Sequence, residues 1–71
     1  MPTNPKDLAR SSCDAALAQC IGKITSVLLD DLATAGEDRA QVEACKERYL
    51  KGMKLCKEAY QISLDTVNTV F

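Results

Sequence analysis

Cysteine is the residue type in this chain with the most chemistry to offer, because thiols cross-link when oxidised and bind soft metals as thiolates. There are four: Cys13 and Cys20 stand seven positions apart, Cys45 and Cys56 eleven. At 100° per residue both spacings return to within about 20° of the same face of an α-helix. Two helices therefore each offer a neighbour a stripe carrying two thiols, the pattern of a helical hairpin stapled by disulfides. Neither the two-to-four-residue spacing of zinc motifs nor a Cys-x-x-Cys pair occurs, which disfavours a single metal site or a redox catalyst. Histidine is absent, removing the commonest general base and metal ligand. Neither enzymatic activity nor a cofactor or metal is expected.

The elements that must position these thiols are readable from caps and periodicity. Asn4 before Pro5, with Asp7 following, marks a helix start, and Cys13, Leu17, Cys20, Ile24, Val27 or Leu28, and Leu32 continue it at steps of three and four. Gly36 suits a left-handed position after the helix end, and Asp38 caps a second helix. The expectation is a single all-α domain over 1–71, an antiparallel two-helix hairpin with helices over about 5–34 and 38–70. The second helix holds an eleven-residue repeat: Cys45-Lys-Glu-Arg-Tyr49 is echoed by Cys56-Lys-Glu-Ala-Tyr60 and, more loosely, by Val67 to Phe71. Such a repeat keeps one stripe almost straight along a helix, and each aromatic ring covers the residue four positions earlier. The stripe is read as the core face.

Helical geometry restricts the disulfide pairing. Bridges within a helix would span about 10 Å or about 16 Å along its axis, beyond reach, and pairing Cys13 with Cys45 requires parallel helices, which a turn over 34–38 forbids. The expected bridges are Cys13 to Cys56 and Cys20 to Cys45, centred near Ala33 and Thr34, each worth about 3 kcal/mol. Gly22 and Gly52 would permit the helices to approach. The alternative state of the four cysteines is free thiols packed as small apolar residues.

A hairpin with two cysteines per helix resembles the coiled-coil-helix-coiled-coil-helix family, the twin Cys-x9-Cys proteins of the mitochondrial intermembrane space. Here six and ten residues separate the cysteines of the two pairs. The resemblance implies import coupled to oxidation, with Cys56 and Tyr60, or Cys20 with Leu17 and Ile24, as a docking site for the oxidising relay. It also implies a role as accessory subunit or assembly factor of a respiratory complex. Met1 to Arg10 does not read as a secretory signal.

Two surfaces are expected to bind protein partners. Pairing about Ala33 sets Ser63 opposite Asn4, so Leu64, Val67, Val70 and Phe71 would overhang the first helix. Ile21, Leu28 and Leu29 lie off the cysteine seam and suggest a second contact. Acidic residues (Asp30, Asp31, Glu37, Asp38 and Glu43) gather near the turn, and basic ones (Lys46, Arg48, Lys51, Lys54 and Lys57) along the second helix. The basic run could steer an acidic protein or lipid headgroups and allows peripheral membrane proximity; nucleic acid is not expected, because Glu47 and Glu58 interrupt the run. No apolar stretch reaches the roughly 20 residues of a membrane span. The main alternative is a reduced cytosolic adaptor or chaperone-like protein, such as a bacterial secretion partner, that homodimerises into a bundle. A second is a copper(I) or redox carrier using Cys13 and Cys56 as two thiolates.

Overall fold

The computed structural model describes residues 4–71, and over them the chain forms two helices, α1 (Pro5–Ala35) and α2 (Arg39–Val70), packed antiparallel. The caps are those expected. Asn4 accepts a hydrogen bond from the Lys6 amide at 2.9 Å, and Pro5 opens α1, where a missing N–H leaves nothing unpaired. At the start of α2 the Asp38 carboxylate accepts from the amides of Ala40 and Gln41, at 3.0 and 3.3 Å. Between the helices the chain reverses over Gly36, Glu37 and the cap Asp38. Gly36 has φ 59° and ψ −123°, a region that a Cβ disfavours, and its amide closes α1 onto the Leu32 carbonyl. Its φ is positive as expected, but its ψ lies outside the left-handed helical well.

This reversal sets the register, and the register differs from the expected one. Cys20 and Cys56 lie equally far from Asp38, and they form the inter-helix disulfide, with Cα atoms 6.0 Å apart. Tyr49 bonds to Thr25, and Tyr60 to Asp14; each pair is equidistant from Glu37. The hairpin is thus centred on Glu37 and Asp38 instead of Ala33 and Thr34. Cys13 and Cys45 are free thiols, so one staple replaces the expected two. The physical reason is axial distance. In this register, Cys13 sits about 10 Å along the helix from the position opposite Cys56, and Cys20 about 16 Å from the position opposite Cys45, whereas a disulfide tolerates Cα separations to about 7 Å.

The overhang is corrected for the same reason. Leu64 to Val70 run alongside the first turns of α1, and Val67 is buried at 8% exposure, while Val70 and Phe71 remain at 68% and 57%. The eleven-residue stripe does form the seam: Cys45, Cys56 and Val67 are the buried residues of α2. Gly52 provides the close approach, since a Cβ there would stand 3.2 Å from Ile24 Cγ2, but a Cβ at Gly22 would meet nothing within 4 Å. Two helices make a long, thin molecule, with a radius of gyration of 16.4 Å against about 11 Å for a compact domain of this length.

Truncating Val67 to alanine should cost about 1–2 kcal/mol in urea unfolding, and the same change at Val70 less than about 0.5 kcal/mol. Equal, small effects at both positions would restore the overhang.

Candidate functional site

The chemistry-bearing residues gather at two places along the seam. Around the staple, Cys13, Leu17, Cys20, Cys56, Tyr60 and Ser63 are among the residues lining a cleft of about 70 Å³. Cys56 is 3% exposed, and Tyr60, one turn later, lines the same cleft, as expected of a ring covering the residue four positions before it. Its hydroxyl reaches across the seam and donates to the Asp14 carboxylate on α1. That hydrogen bond, reinforced by loss of solvent and by the negative charge of Asp14, raises the Tyr60 phenol above the ordinary value of 10.0. The raised value favours the protonated phenol in the folded chain. Its stabilising effect is complete below the ordinary phenol range and is lost as pH rises through the folded value.

Nearer the turn, Ile24, Val27, Leu28, Asp31, Cys45, Arg48 and Tyr49 line a largely apolar cleft of about 110 Å³. Cys45 is only 2% exposed, and Arg48 donates to its Sγ at 3.6 Å. The same guanidinium pairs with Asp31 at 3.3 Å, tying α2 to the acidic end of α1. Tyr49 and Thr25 share a hydrogen bond of 2.9 Å on the flank of this cleft. Lys46 pairs with Glu43 at 3.2 Å, so part of the basic run is matched by acids of the chain itself.

The cysteines expected to act together are brought together in part. Cys20 and Cys56 are covalently joined, Cys13 stands beside them without bonding, and Cys45 lies apart in the second cleft. With Cys56 bonded to Cys20, the pair Cys13 and Cys56 does not present two thiolates to a metal. Among the described residues no three side chains of His, Cys, Asp or Glu converge on a common point, and no helix is long and apolar enough to cross a membrane. Of the expected partner surface, Ile21, Leu28 and Leu64 are half-buried beside the seam, while Leu29, Val70 and Phe71 face solvent.

Asp14 and Thr25 were not anticipated as tyrosine partners. The signal was present, since they stand eleven residues apart, as Tyr49 and Tyr60 do, so equivalent rungs on one helix meet equivalent rungs on the other. Compared with family models, with curated proteins and with solved structures, the chain matches none.

Two measurements follow from this geometry. In an ultraviolet titration, the difference between the wild type and Tyr60→Phe should give a phenol ionising above pH 10, and Asp14→Asn should lower that midpoint; a midpoint at or below 10 in the wild type would remove the Asp14 bond. The 36-residue separation closed by the staple is worth about 4 kcal/mol on the loop-closure estimate, so Cys20→Ser should lose most of the hairpin's stability. Cys13→Ser, which breaks no crosslink, should cost less than about 1 kcal/mol.

Proposed function

We propose that this chain is a non-enzymatic structural accessory subunit or assembly adaptor of a larger protein complex. The observation that carries the reading is a mismatch between core and surface. Among the described residues Ala35, Cys45, Cys56 and Val67 are buried, whereas large apolar side chains such as Leu8, Leu29, Leu50, Leu55 and Ile62 face solvent. An isolated hairpin gains nothing from these exposed side chains, and a chain that docks against neighbours gains their burial. Its action is mechanical: the staple holds two helices in one register, and the apolar edges bind.

An inter-helix disulfide calls for an oxidising compartment. Together with the resemblance to twin-cysteine helical hairpins, it supports a place in the mitochondrial intermembrane space, beside a respiratory complex. The free thiols of Cys13 and Cys45 favour the second reading, a reduced cytosolic adaptor in which cysteines serve as small packing residues.

Fractionation of cells carrying the tagged chain tests both. The first reading predicts migration within a large complex on native gels and protection from protease until the outer mitochondrial membrane is opened. Migration as one or two chains in the cytosolic fraction would contradict it and support the second.

A further inference from the structure

Two apolar stripes run along α2, and the seam uses one of them. The seam stripe, with Cys45, Cys56 and Val67 buried, keeps the eleven-residue period and so runs nearly straight. The other keeps a period of seven. Leu50, Met53, Lys57, Tyr60, Leu64, Val67 and Phe71 follow at alternating steps of three and four, and the two stripes share Tyr60 and Val67. Seven residues fall about 20° short of two turns, so this second stripe starts on the flank of the seam and winds towards it. Burial follows the winding: Leu50 is exposed, Met53, Tyr60 and Leu64 are half-buried, and Val67 is buried. On the same flank of α1, where Asp14 and Thr25 meet the tyrosines, Ile21, Thr25, Leu28 and Leu32 also follow at steps of four and three, all half-buried. A seven-residue stripe stays against a neighbour that is itself a helix, the two wound left-handed about each other. Since α1 takes the straight stripe, the winding one is left without that neighbour.

Charge indicates what the neighbour carries. Lys57 stands in the stripe seven residues from both Leu50 and Leu64, exposed and, among the described residues, paired with no acid. Lys54 lies beside it on the solvent edge of the stripe, followed there at seven-residue spacing by Gln61 and Asn68. From Leu50 to Phe71 the stripe and this edge therefore hold two positive charges and no negative one. A helix laid over Lys57 takes its ammonium out of water, which is costly unless a carboxylate meets it. A single lysine at such a position fixes partner and alignment at some cost in stability. A second copy of the chain supplies no acid: in parallel Lys57 meets Lys57, and antiparallel about the middle of the stripe it meets Leu64.

We infer that the flank between Leu50 and Phe71 is covered by an amphipathic helix of another protein, with apolar residues at seven-residue spacing and a carboxylate opposite Lys57. The inference rests on reading the chain as an adaptor and names the chemistry of its partner.

Fluorescence anisotropy of the oxidised full-length chain with a labelled synthetic helix provides the test. The probe is a peptide of about four heptads, long enough to form a helix, with leucine at the first and fourth positions, one of these replaced by glutamate, and glutamate at the flanking positions. Its counterpart has lysine for every glutamate. The wild type should bind the acidic probe at least about tenfold more tightly than the basic one, and Lys57→Glu should remove that preference. Leu50→Glu should weaken binding by about tenfold, whereas Leu55→Glu, of the same charge but about 140° round the helix, should bind as the wild type does. Circular dichroism should show helix retained in all three variants, whose side chains are exposed. No binding of the acidic probe, equal binding of both probes, or a loss on Leu55→Glu in place of Leu50→Glu would overturn the inference. So would a two-chain mass by light scattering that Leu50→Glu reduces to one, because a second copy would then cover the stripe. If the probe fails while the cellular chain still migrates in a large complex, the partner named here falls and the adaptor reading stands. If the probe binds as expected while the cellular chain migrates alone, the chemistry of the stripe is supported and the adaptor reading falls.

Discussion

Two antiparallel helices share a single seam, and a single seam encloses little. Here it withdraws Ala35 from one helix and Cys45, Cys56 and Val67 from the other, among the described residues. Such a core is too small to hold two helices of 31 and 32 residues in one alignment unaided. The Cys20–Cys56 bond supplies what burial does not. It lies midway along both helices and fixes the level at which every other rung meets: Tyr60 with Asp14, Tyr49 with Thr25, Arg48 with Asp31, and Ile24 against the bare backbone of Gly52.

Local features were legible in the sequence because their physics is local. Asn4, Pro5 and Asp38 cap wherever they precede a helix, and Gly36 takes a positive φ because no other residue there could do so without strain. The eleven-residue stripe of Cys45, Cys56 and Val67 was legible because periodicity alone defines a face. Register was not. It depends on how many residues the reversal consumes, and α1 continues through Ala35 so that only Gly36, Glu37 and Asp38 separate the helices. Requiring all four cysteines to pair moved the centre of the hairpin by about a helical turn, which brought in a second staple and an overhanging tail. The correct register leaves Cys13 level with Ser63 and Cys45 level with Asp31, neither facing another thiol.

The same register divides the surface. Tyrosine hydroxyls and the Arg48–Asp31 pair bridge the flanks of the seam, α2 exposes mixed charge together with Leu50, Leu55 and Ile62, and α1 carries small uncharged residues and Leu29 outward. The two clefts along the seam hold about 70 and 110 Å³, and a more open one of about 470 Å³ lies on α2 among Lys54, Lys57, Glu58, Gln61 and Ile62. The hairpin's apolar side chains in solvent are numerous for its size, which supports the proposed role as one layer of a larger assembly.

The central claim is the register, and the disulfide reports it directly. Free thiols of the natively isolated protein would be blocked under denaturing conditions without reductant, the chain digested, and the cross-linked peptides sequenced by mass spectrometry. Two blocked thiols, at Cys13 and Cys45, with a single crosslink joining Cys20 to Cys56, is the predicted result. Crosslinks joining Cys13 to Cys56 and Cys20 to Cys45 would contradict it, placing the hairpin's centre back near Ala33.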